Sequence, residues 1–218
     1  AINKEYIEIQ KYAFRKYKIK TVENKHTHLV PEELEQLERL SLTDKHMKLQ
    51  KSLDAFLFCC YAGMRYSDFT NLSKKNIVDI NQETWLIYKS VKTGTEVRLP
   101  LYLLFAGKGI VILNKYRNNL EDFFRLRDNS NINKDLIIIA KLAGLSKKIS
   151  FHTARHTNAT LLIYNGVNIT TVQKLLGHKS VKTTQVYTNI MDMTIVHDLE
   201  KIKQAALGIK KKTDNSFN

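Results

Sequence analysis

The stretch between residues 150 and 188 concentrates side chains that can bind a phosphate group and move its protons. It contains His152, Arg155, His178 and Tyr187. A guanidinium group offers paired hydrogen bonds to phosphate oxygens, whereas an imidazole exchanges protons near neutral pH. A phenol becomes a nucleophile as it loses its proton. Together these residue types predict chemistry on a phosphate.

Helical patterns must hold these side chains in place. His152 and Arg155 lie three positions apart, so both can project from one face at the start of a helix. Gly177 is typical of a residue that ends a helix, which places the following histidine on a turn. Ser180 is then the expected N-cap of a last helix, VKTTQVY, that carries Tyr187. The pattern predicts a basic pocket that can receive an anion.

Two earlier segments offer basic side chains that could join this pocket. Arg65 follows the apolar run AFLFCCYAGM, and Asp68 comes three residues later. Lys92 lies in KTGT, the expected turn of a β-hairpin, and Lys89 nearby is a rival for its role. Taken alone, each is more often an ordinary surface or capping residue. Only their occurrence together with the residues of the 150–188 stretch indicates a site.

The composition predicts one generous folded domain that binds a polyanion. The chain has 218 residues, of which 43% are hydrophobic, and this is enough for a core. Two prolines and eight glycines argue against a low-complexity protein. Lys and Arg number 35 against 21 Asp and Glu, a net charge of +14. DNA or RNA is the leading partner for such a charge, and a merely soluble basic protein is the alternative.

The cysteines and the apolar runs exclude several classes of protein. Cys59 and Cys60 are adjacent and cannot easily bridge each other, so we expect a reduced, buried pair in a cytoplasmic protein. No zinc-site spacing is present in the sequence, and we expect no signal peptide. The longest apolar run is far short of a membrane span. We expect no metal, no cofactor and no membrane contact.

The remaining pattern predicts a mainly α fold with a small antiparallel three-stranded β-sheet, an α+β class. Helices are expected from Pro31, over 47–64, and through NKDLIIIAKLAG. Strands are expected at 77–80, in TWLIYKSV and in EVRLPL. A final amphipathic helix is expected over 192–207. The short sheet would bring the KTGT turn to one end of the helical body.

The phosphate-handling positions, taken in chain order, resemble the catalytic domain of the tyrosine recombinase (phage-type integrase) family. They are Arg65 in AGMRYSDFTNL, Lys92 after the second strand, HTAR at 152–155, and His178 and Tyr187 in LLGHKSVKTTQVY. The resemblance covers roughly residues 30–200, and Tyr187 follows His178 by nine positions, a separation that the family favours. The finer likeness is to integrases of bacterial mobile elements.

This resemblance implies DNA strand cleavage and rejoining through a covalent 3′-phosphotyrosine. Tyr187 would be the nucleophile, and Arg65 and Arg155 would clamp the nonbridging oxygens in the transition state. The phosphoester bond energy is kept in the intermediate, so rejoining needs no ATP. A lysine would serve less well than either arginine, because it lacks the planar fork.

The other site residues take supporting roles in the same resemblance. His152 would be the proton acceptor or a phosphate ligand, since its pKa lies near the working pH. Lys92 would protonate the departing 5′ oxygen, and His178 would donate a hydrogen bond to the phosphate. Asp68 would orient Arg65. No metal is called for.

The resemblance also implies an organisation and partners. Residues 29–207 would form the catalytic domain, with 192–207 as a C-terminal exchange helix. Residues 1–28 would be a linker or the tail of a missing upstream core-binding domain, and 208–218 a disordered tail. The partner would be double-stranded DNA, on which a homo-tetramer assembles from free monomers, with room for accessory DNA-bending proteins. The expected location is the bacterial cytoplasm, in association with the nucleoid.

Two alternative functions remain open at this point. A type IB topoisomerase shares the nucleophile, the two arginines and the mechanism, but the helix expected after Tyr187 favours a protein that joins protomers. A helix-turn-helix DNA-binding module would fit NITTVQKLLGHKSVKTTQVY, with its second helix in the major groove. That module would leave His152, Arg155 and Lys92 without a task, so we rank it below catalysis.

Overall fold

A computed structural model describes residues 27–188 and Lys203. Its described part is mainly helical with one three-stranded antiparallel sheet, which confirms the expected fold class. The helices are α1 (Pro31–Glu38), α2 (Gln50–Ala62), α3 (Tyr66–Phe69), α4 (Lys108–Lys115), α5 (Leu120–Phe124), α6 (Asn129–Leu142), α7 (Phe151–Tyr164), α8 (Ile169–Leu175) and α9 (Lys182–Gln185). The strands are β1 (Ile77–Ile80), β2 (Glu83–Lys89) and β3 (Glu96–Pro100). The expected exchange helix 192–207, apart from Lys203, the 208–218 tail and most of the 1–28 linker lie outside the described residues.

Helices α2 and α7 form the centre of the protein, and nearly all their residues are buried. The helix expected over 47–64 is shorter in the structure, because its first expected residues belong to a 3₁₀ turn at Asp44–Leu49 that precedes α2. Asn158 on α7 donates from its amide to the carbonyls of Cys60 and Tyr61, both at 2.9 Å. These bonds fix the buried end of α2 against the middle of α7. The residues at the end of α2 and in the middle of α7 are therefore held in fixed positions relative to each other.

An aromatic cluster holds α3 beside these central helices. Phe69 on α3 meets Phe123 edge-on with ring centroids 5.3 Å apart, and Phe58 of α2 with centroids 5.9 Å apart. Phe151, the first residue of α7, lies 6.1 Å from the Phe69 ring. Edge-to-face pairs of this kind add about 0.5–1.5 kcal/mol each beyond burial. The cluster thus fixes the short α3 segment, which begins directly after Arg65.

The sheet has the order β1-β2-β3, with both neighbours antiparallel. Tyr88 of β2 pairs with Val97 of β3, and both side chains are buried under the sheet. The turn between them closes with a hydrogen bond from the Ser90 amide to the Thr95 carbonyl at 2.9 Å. The hairpin expected around KTGT is confirmed in position, so the sheet presents the 90–95 loop at its end.

The segment after α7 departs from expectation in one respect. The last helix was expected to span VKTTQVY and to carry Tyr187, yet α9 is a single turn and Tyr187 lies two residues beyond it. Its N-cap is Val181, while the Ser180 hydroxyl accepts a hydrogen bond from the Lys182 amide at 3.3 Å. The segment is rich in β-branched residues, which favour helices weakly. Tyr187 therefore lies on a turn after a short helix, where its ring is buried, and not within a longer helix.

Candidate active site

Arg65 stands at the N-cap of α3, and its guanidinium faces the hairpin loop. Its Nη1 donates to Asp68 Oδ2 at 3.5 Å and to Ser90 Oγ at 3.3 Å. Asp68 is fully buried, and its other oxygen accepts a hydrogen bond from the Val91 amide at 2.8 Å. One carboxylate therefore contacts both the guanidinium and the base of the 90–95 loop, and the orienting role of Asp68 stays a prediction.

Arg155 lies deep between α2, α7 and α8, with only 1% of its surface exposed. Its guanidinium donates to the Gly63 carbonyl at 2.7 Å and to the Leu176 carbonyl at 2.5 Å. A guanidinium carries five N–H donors, so three remain for a ligand. Burial, with the neighbouring Arg65 charge next, lowers the pKa of Arg155 to about 10. The group is therefore still a cation at neutral pH.

Gly63 makes this arrangement possible at the end of α2. Its φ of 67° is the left-handed conformation that ends a helix, and glycine adopts it without strain. A Cβ there would stand 2.6 Å from the Asn158 side-chain oxygen. Any side chain would push Asn158 away and displace the carbonyl that Arg155 holds. Gly63 therefore both ends α2 and lets the Asn158 side chain approach the backbone closely.

His178 lies on the turn after α8 and is 7% exposed. Its Nδ1 is 2.9 Å from the Thr184 hydroxyl, which leaves Nε2 for another partner. Burial, followed by the positive charges of Arg155, Arg65 and Lys92, lowers the pKa of His178 to about 4. The imidazole is therefore neutral at physiological pH. In the tautomer in which the Thr184 hydroxyl donates to Nδ1, the single ring proton is on Nε2, where it can donate to an anion.

The loop that carries Lys92 docks against this same turn. Thr93 donates from its hydroxyl to the Gly177 carbonyl at 3.1 Å. A Cβ on Gly177 would lie 2.6 Å from a Val97 methyl carbon, so the sheet and the turn approach too closely for any side chain. Lys92 is exposed, and its charge acts on His178, whereas Lys89 lies on β2 opposite Glu96. The docking brings the Lys92 charge close enough to act on His178.

Only 4% of the Tyr187 surface is exposed, and its hydroxyl lies 3.1 Å from Nδ1 of His156. Burial raises the pKa of the Tyr187 phenol, while the charges of Arg155 and Arg65 lower it in part. The two guanidinium groups are thus close enough to stabilise negative charge on this oxygen. The arrangement suits a nucleophile that stays protonated until its proton is taken.

His152 occupies a different position from the rest of the histidines at this site. It is exposed on the first turn of α7 and lines an open cleft of about 240 Å³ together with Arg65 and Tyr66. Its ring meets the His156 ring edge-on, with centroids 4.4 Å apart. Although His152 and Arg155 share a helix, one side chain faces the surface and the other is enclosed.

The site therefore gathers all the residues expected from the sequence around the junction of α3, α7, the hairpin loop and the segment after α8. Two contributors are absent from the sequence-based prediction. Ser90 bridges Arg65 and Asp68, and nothing in the pattern distinguishes it from other loop serines. His156 contacts Tyr187, and its spacing of four from His152 places both on one helix face, a signal that could have identified it.

Within residues 27–188 and Lys203, no three His, Cys, Asp or Glu side chains are grouped so that they could hold a metal ion. No helix in this described part is long and apolar enough to cross a membrane.

The neutral state of His178 predicts a pH dependence of folding stability. Its pKa is lower in the folded protein than in the unfolded chain, so acidification protonates the unfolded chain first. The free energy of unfolding should therefore fall between about pH 6.5 and pH 4, by roughly 2 kcal/mol from this residue. Urea unfolding of wild type and His178→Asn across this range measures the contribution. His46→Asn, at a partly exposed histidine, is the matched control, and equal slopes in wild type and His178→Asn would contradict the assignment.

Comparison with known proteins identifies the family of this chain. Residues 27–193 match the model of the phage integrase family. Tyrosine recombinase XerC of Rickettsia prowazekii (strain Madrid E) is 30% identical over 159 residues, which are 69% of this chain and 49% of that protein. The chain thus spans about half the length of this relative.

Solved structures agree with the sequence matches. A crystal structure of XerA recombinase superposes with a TM-score of 0.63 at 26% identity, over 82% of this chain and 66% of the other. A lambda integrase tetramer bound to a Holliday junction superposes with a TM-score of 0.60 at 19% identity, over 77% of this chain and 49% of the other, and shows the shared fold. The matched range contains every residue of the site described above, and the chain belongs to the phage integrase family of tyrosine recombinases.

Proposed function

We propose that this chain is the catalytic part of a site-specific recombinase that cleaves and rejoins double-stranded DNA. One observation carries the proposal: the Arg65 and Arg155 guanidinium groups lie close enough to the buried Tyr187 and to His178 for their charges to act on both. In the reaction, the Tyr187 oxygen attacks phosphorus and the bond from phosphorus to the 5′ oxygen breaks. The products are a 3′-phosphotyrosine and a free 5′-hydroxyl, and the reverse attack by a 5′-hydroxyl rejoins the strand.

Arg65 and Arg155 supply the positive charge that this step requires. A phosphodiester repels nucleophiles because it is anionic, and the transition state carries more charge on its nonbridging oxygens. Donors that are already in place stabilise that charge without reorganisation. Arg155 is held by two backbone carbonyls, and Arg65 by Asp68 and Ser90, so both guanidinium groups are preorganised. In this proposal His178 donates from Nε2, and the exposed His152 binds the phosphate from the cleft.

Lys92 is the proposed general acid for the departing 5′ oxygen. Lys92→Ala should slow cleavage by about 10²-fold or more, because an alkoxide leaves poorly without a proton. A substrate with sulfur at the 5′-bridging position should restore the rate, since a thiolate leaves unprotonated. Lys89→Ala is the matched control and should cleave ordinary DNA near the wild-type rate. If sulfur rescues Lys89→Ala but leaves Lys92→Ala slow, the general acid is Lys89.

We extend the proposal to assembly. The lambda integrase structure cited above is a tetramer on a Holliday junction, and a homo-tetramer on DNA is the corresponding expectation for this chain. In this scheme residues 192–207 dock on a neighbouring protomer, and the free protein is a monomer. Accessory DNA-bending proteins and a nucleoid location in the bacterial cytoplasm belong to the same prediction. The +14 charge favours DNA as the partner and predicts binding that weakens steeply with salt.

A suicide DNA substrate tests the function directly. Its nicked strand loses a short fragment after cleavage, so the covalent intermediate accumulates. We expect wild-type protein to form a DNA adduct that survives denaturing electrophoresis. A type IB topoisomerase would form the same adduct but would relax supercoiled DNA without joining two sites, and the helix-turn-helix alternative would form no adduct. Absence of the adduct with a cognate site would refute the enzymatic proposal.

A further inference from the structure

We propose that His156 is the base that accepts the phenolic proton of Tyr187 during cleavage and returns it during rejoining. The inference rests on the proposed function and specifies one step of it. The resemblance gave this task to His152, whereas the structure places His156 Nδ1 at 3.1 Å from the Tyr187 hydroxyl. The two rings lie 5.5 Å apart between centroids, and both are buried.

The position of His156 is fixed by its neighbours on α7. Arg155, one residue before it, is held by the Gly63 and Leu176 carbonyls. Asn158, two residues after it, is held by the Cys60 and Tyr61 carbonyls. A base between two such anchors keeps its geometry without help from substrate. The same turn of helix thus sets both the phosphate clamp and the group that contacts the nucleophile.

Burial makes an acceptor necessary at this point. It raises the pKa of the Tyr187 phenol, so ionisation before attack would be rare at neutral pH. A base within hydrogen-bond reach instead removes the proton as the bond to phosphorus forms. The surroundings of Tyr187 are enclosed, which leaves little access for a water molecule to take that role. His156 is the side chain that already occupies the required place.

The proposed step transfers one proton from Tyr187 to His156. Tyr187 donates to an unprotonated Nδ1, so the neutral imidazole carries its proton on Nε2. As attack proceeds, a lone pair of the Tyr187 oxygen forms the bond to phosphorus, the O–H bonding pair stays on that oxygen, and the proton moves to Nδ1 to give an imidazolium. The electron pair of the broken bond goes to the 5′ oxygen, which takes a proton from Lys92. Rejoining reverses both transfers.

His152 and Tyr187 both face His156. His152 faces it from the same helix with an edge-on ring contact at 4.4 Å, and Tyr187 faces it from the segment after α9. Arg155 and Arg65 act on Tyr187, and their charges partly offset the effect of burial on the pKa of its phenol. They therefore favour the phenolate that forms as His156 takes the proton.

The test uses single-turnover cleavage of a 5′-bridging sulfur substrate, which removes the need for a general acid. Asparagine places an amide where Nδ1 stands, so His156→Asn can keep the hydrogen bond but cannot accept a proton. We expect His156→Asn to cleave about 10²-fold or more slowly than wild type. Its rate should climb with pH where the wild-type rate is level, because without a base only the fraction of Tyr187 that is already ionised can attack. His152→Asn should keep the level wild-type profile whatever its absolute rate.

Two outcomes would overturn the proposal. One is His156→Asn cleaving within threefold of wild type, which would make His156 a packing or orienting residue. The other is loss of the level profile in His152→Asn with its retention in His156→Asn, which would return the base to His152. Both differ from failure of the proposed function, in which wild type itself forms no adduct. Urea unfolding checks that each variant is folded at the assay temperature.

A second measurement leaves His156 intact. Histidine NMR of the wild-type protein should show His156 with its proton on Nε2, and Tyr187→Phe should change both its chemical shifts and its titration. His156→Asn assigns the resonance by its disappearance, and if that variant does not fold, single Asn substitutions at the other six histidines assign it by elimination. An unchanged His156 spectrum in Tyr187→Phe would show that the hydrogen bond is absent and would overturn the proposal.

Discussion

Tyr187→Phe will abolish covalent attachment to DNA while leaving folding and DNA binding close to wild type. The phenol oxygen is the proposed nucleophile, and removal of a nucleophile lowers cleavage by about 10³-fold or more. The ring itself is buried and stays in place, so packing should hardly change. Only the hydrogen bond to His156 is lost, a change of about 1 kcal/mol in the free energy of unfolding.

Three measurements on the same protein check this expectation. Denaturing electrophoresis with a suicide substrate reports the adduct, fluorescence anisotropy reports DNA affinity, and urea unfolding reports stability. Tyr61→Phe is the matched control, because that tyrosine is also buried and its hydroxyl donates to Glu38 at 2.6 Å. It should lose comparable stability and keep full cleavage. A denaturant-resistant adduct from Tyr187→Phe would show that another residue attacks the phosphate.

Local sequence signals predicted the parts of the site that depend on local structure. The spacing of His152 and Arg155 indicated the start of α7, and the structure begins that helix at Phe151. Gly177 indicated the turn before His178, and its φ of 62° is the left-handed value that such a turn requires. The alternating pattern around KTGT indicated the hairpin. These features follow from backbone preferences within a few residues.

Contacts between distant segments could not be predicted in the same way. Ser90 meets Asp68 across 22 positions, and His156 meets Tyr187 across 31. Such pairs depend on how α3, the sheet and the segment after α8 pack together, which no local periodicity encodes. The short α9 is a related case, because burial of Tyr187 against His156 outweighs continuation of the helix. Order along the chain thus indicated the candidate site residues, and packing decided which of them are in contact.

Arg155→Lys and Arg65→Lys should both slow cleavage but should differ in their effect on folding. Each lysine keeps the charge and loses the planar fork, so we expect a cleavage rate about 10²-fold lower, or roughly 2.7 kcal/mol of transition-state stabilisation. Arg65 is partly exposed and its ammonium replacement can still pair with Asp68, so stability should change by about 1 kcal/mol or less. The two substitutions should therefore differ in their effect on the free energy of unfolding.

Arg155 has a structural task that Arg65 lacks. Its guanidinium satisfies the Gly63 and Leu176 carbonyls while itself almost fully buried, and a flexible ammonium cannot meet both in that geometry. An unsatisfied buried carbonyl costs about 1–3 kcal/mol, so Arg155→Lys should lower the free energy of unfolding by about 2–4 kcal/mol. Urea unfolding and single-turnover cleavage below the unfolding transition separate the two effects. Arg98→Lys, at an exposed arginine on β3, should match wild type in unfolding stability. Wild-type stability in Arg155→Lys would mean that its bonds to the two carbonyls do not support the fold, and wild-type cleavage in both site variants would mean that charge alone suffices.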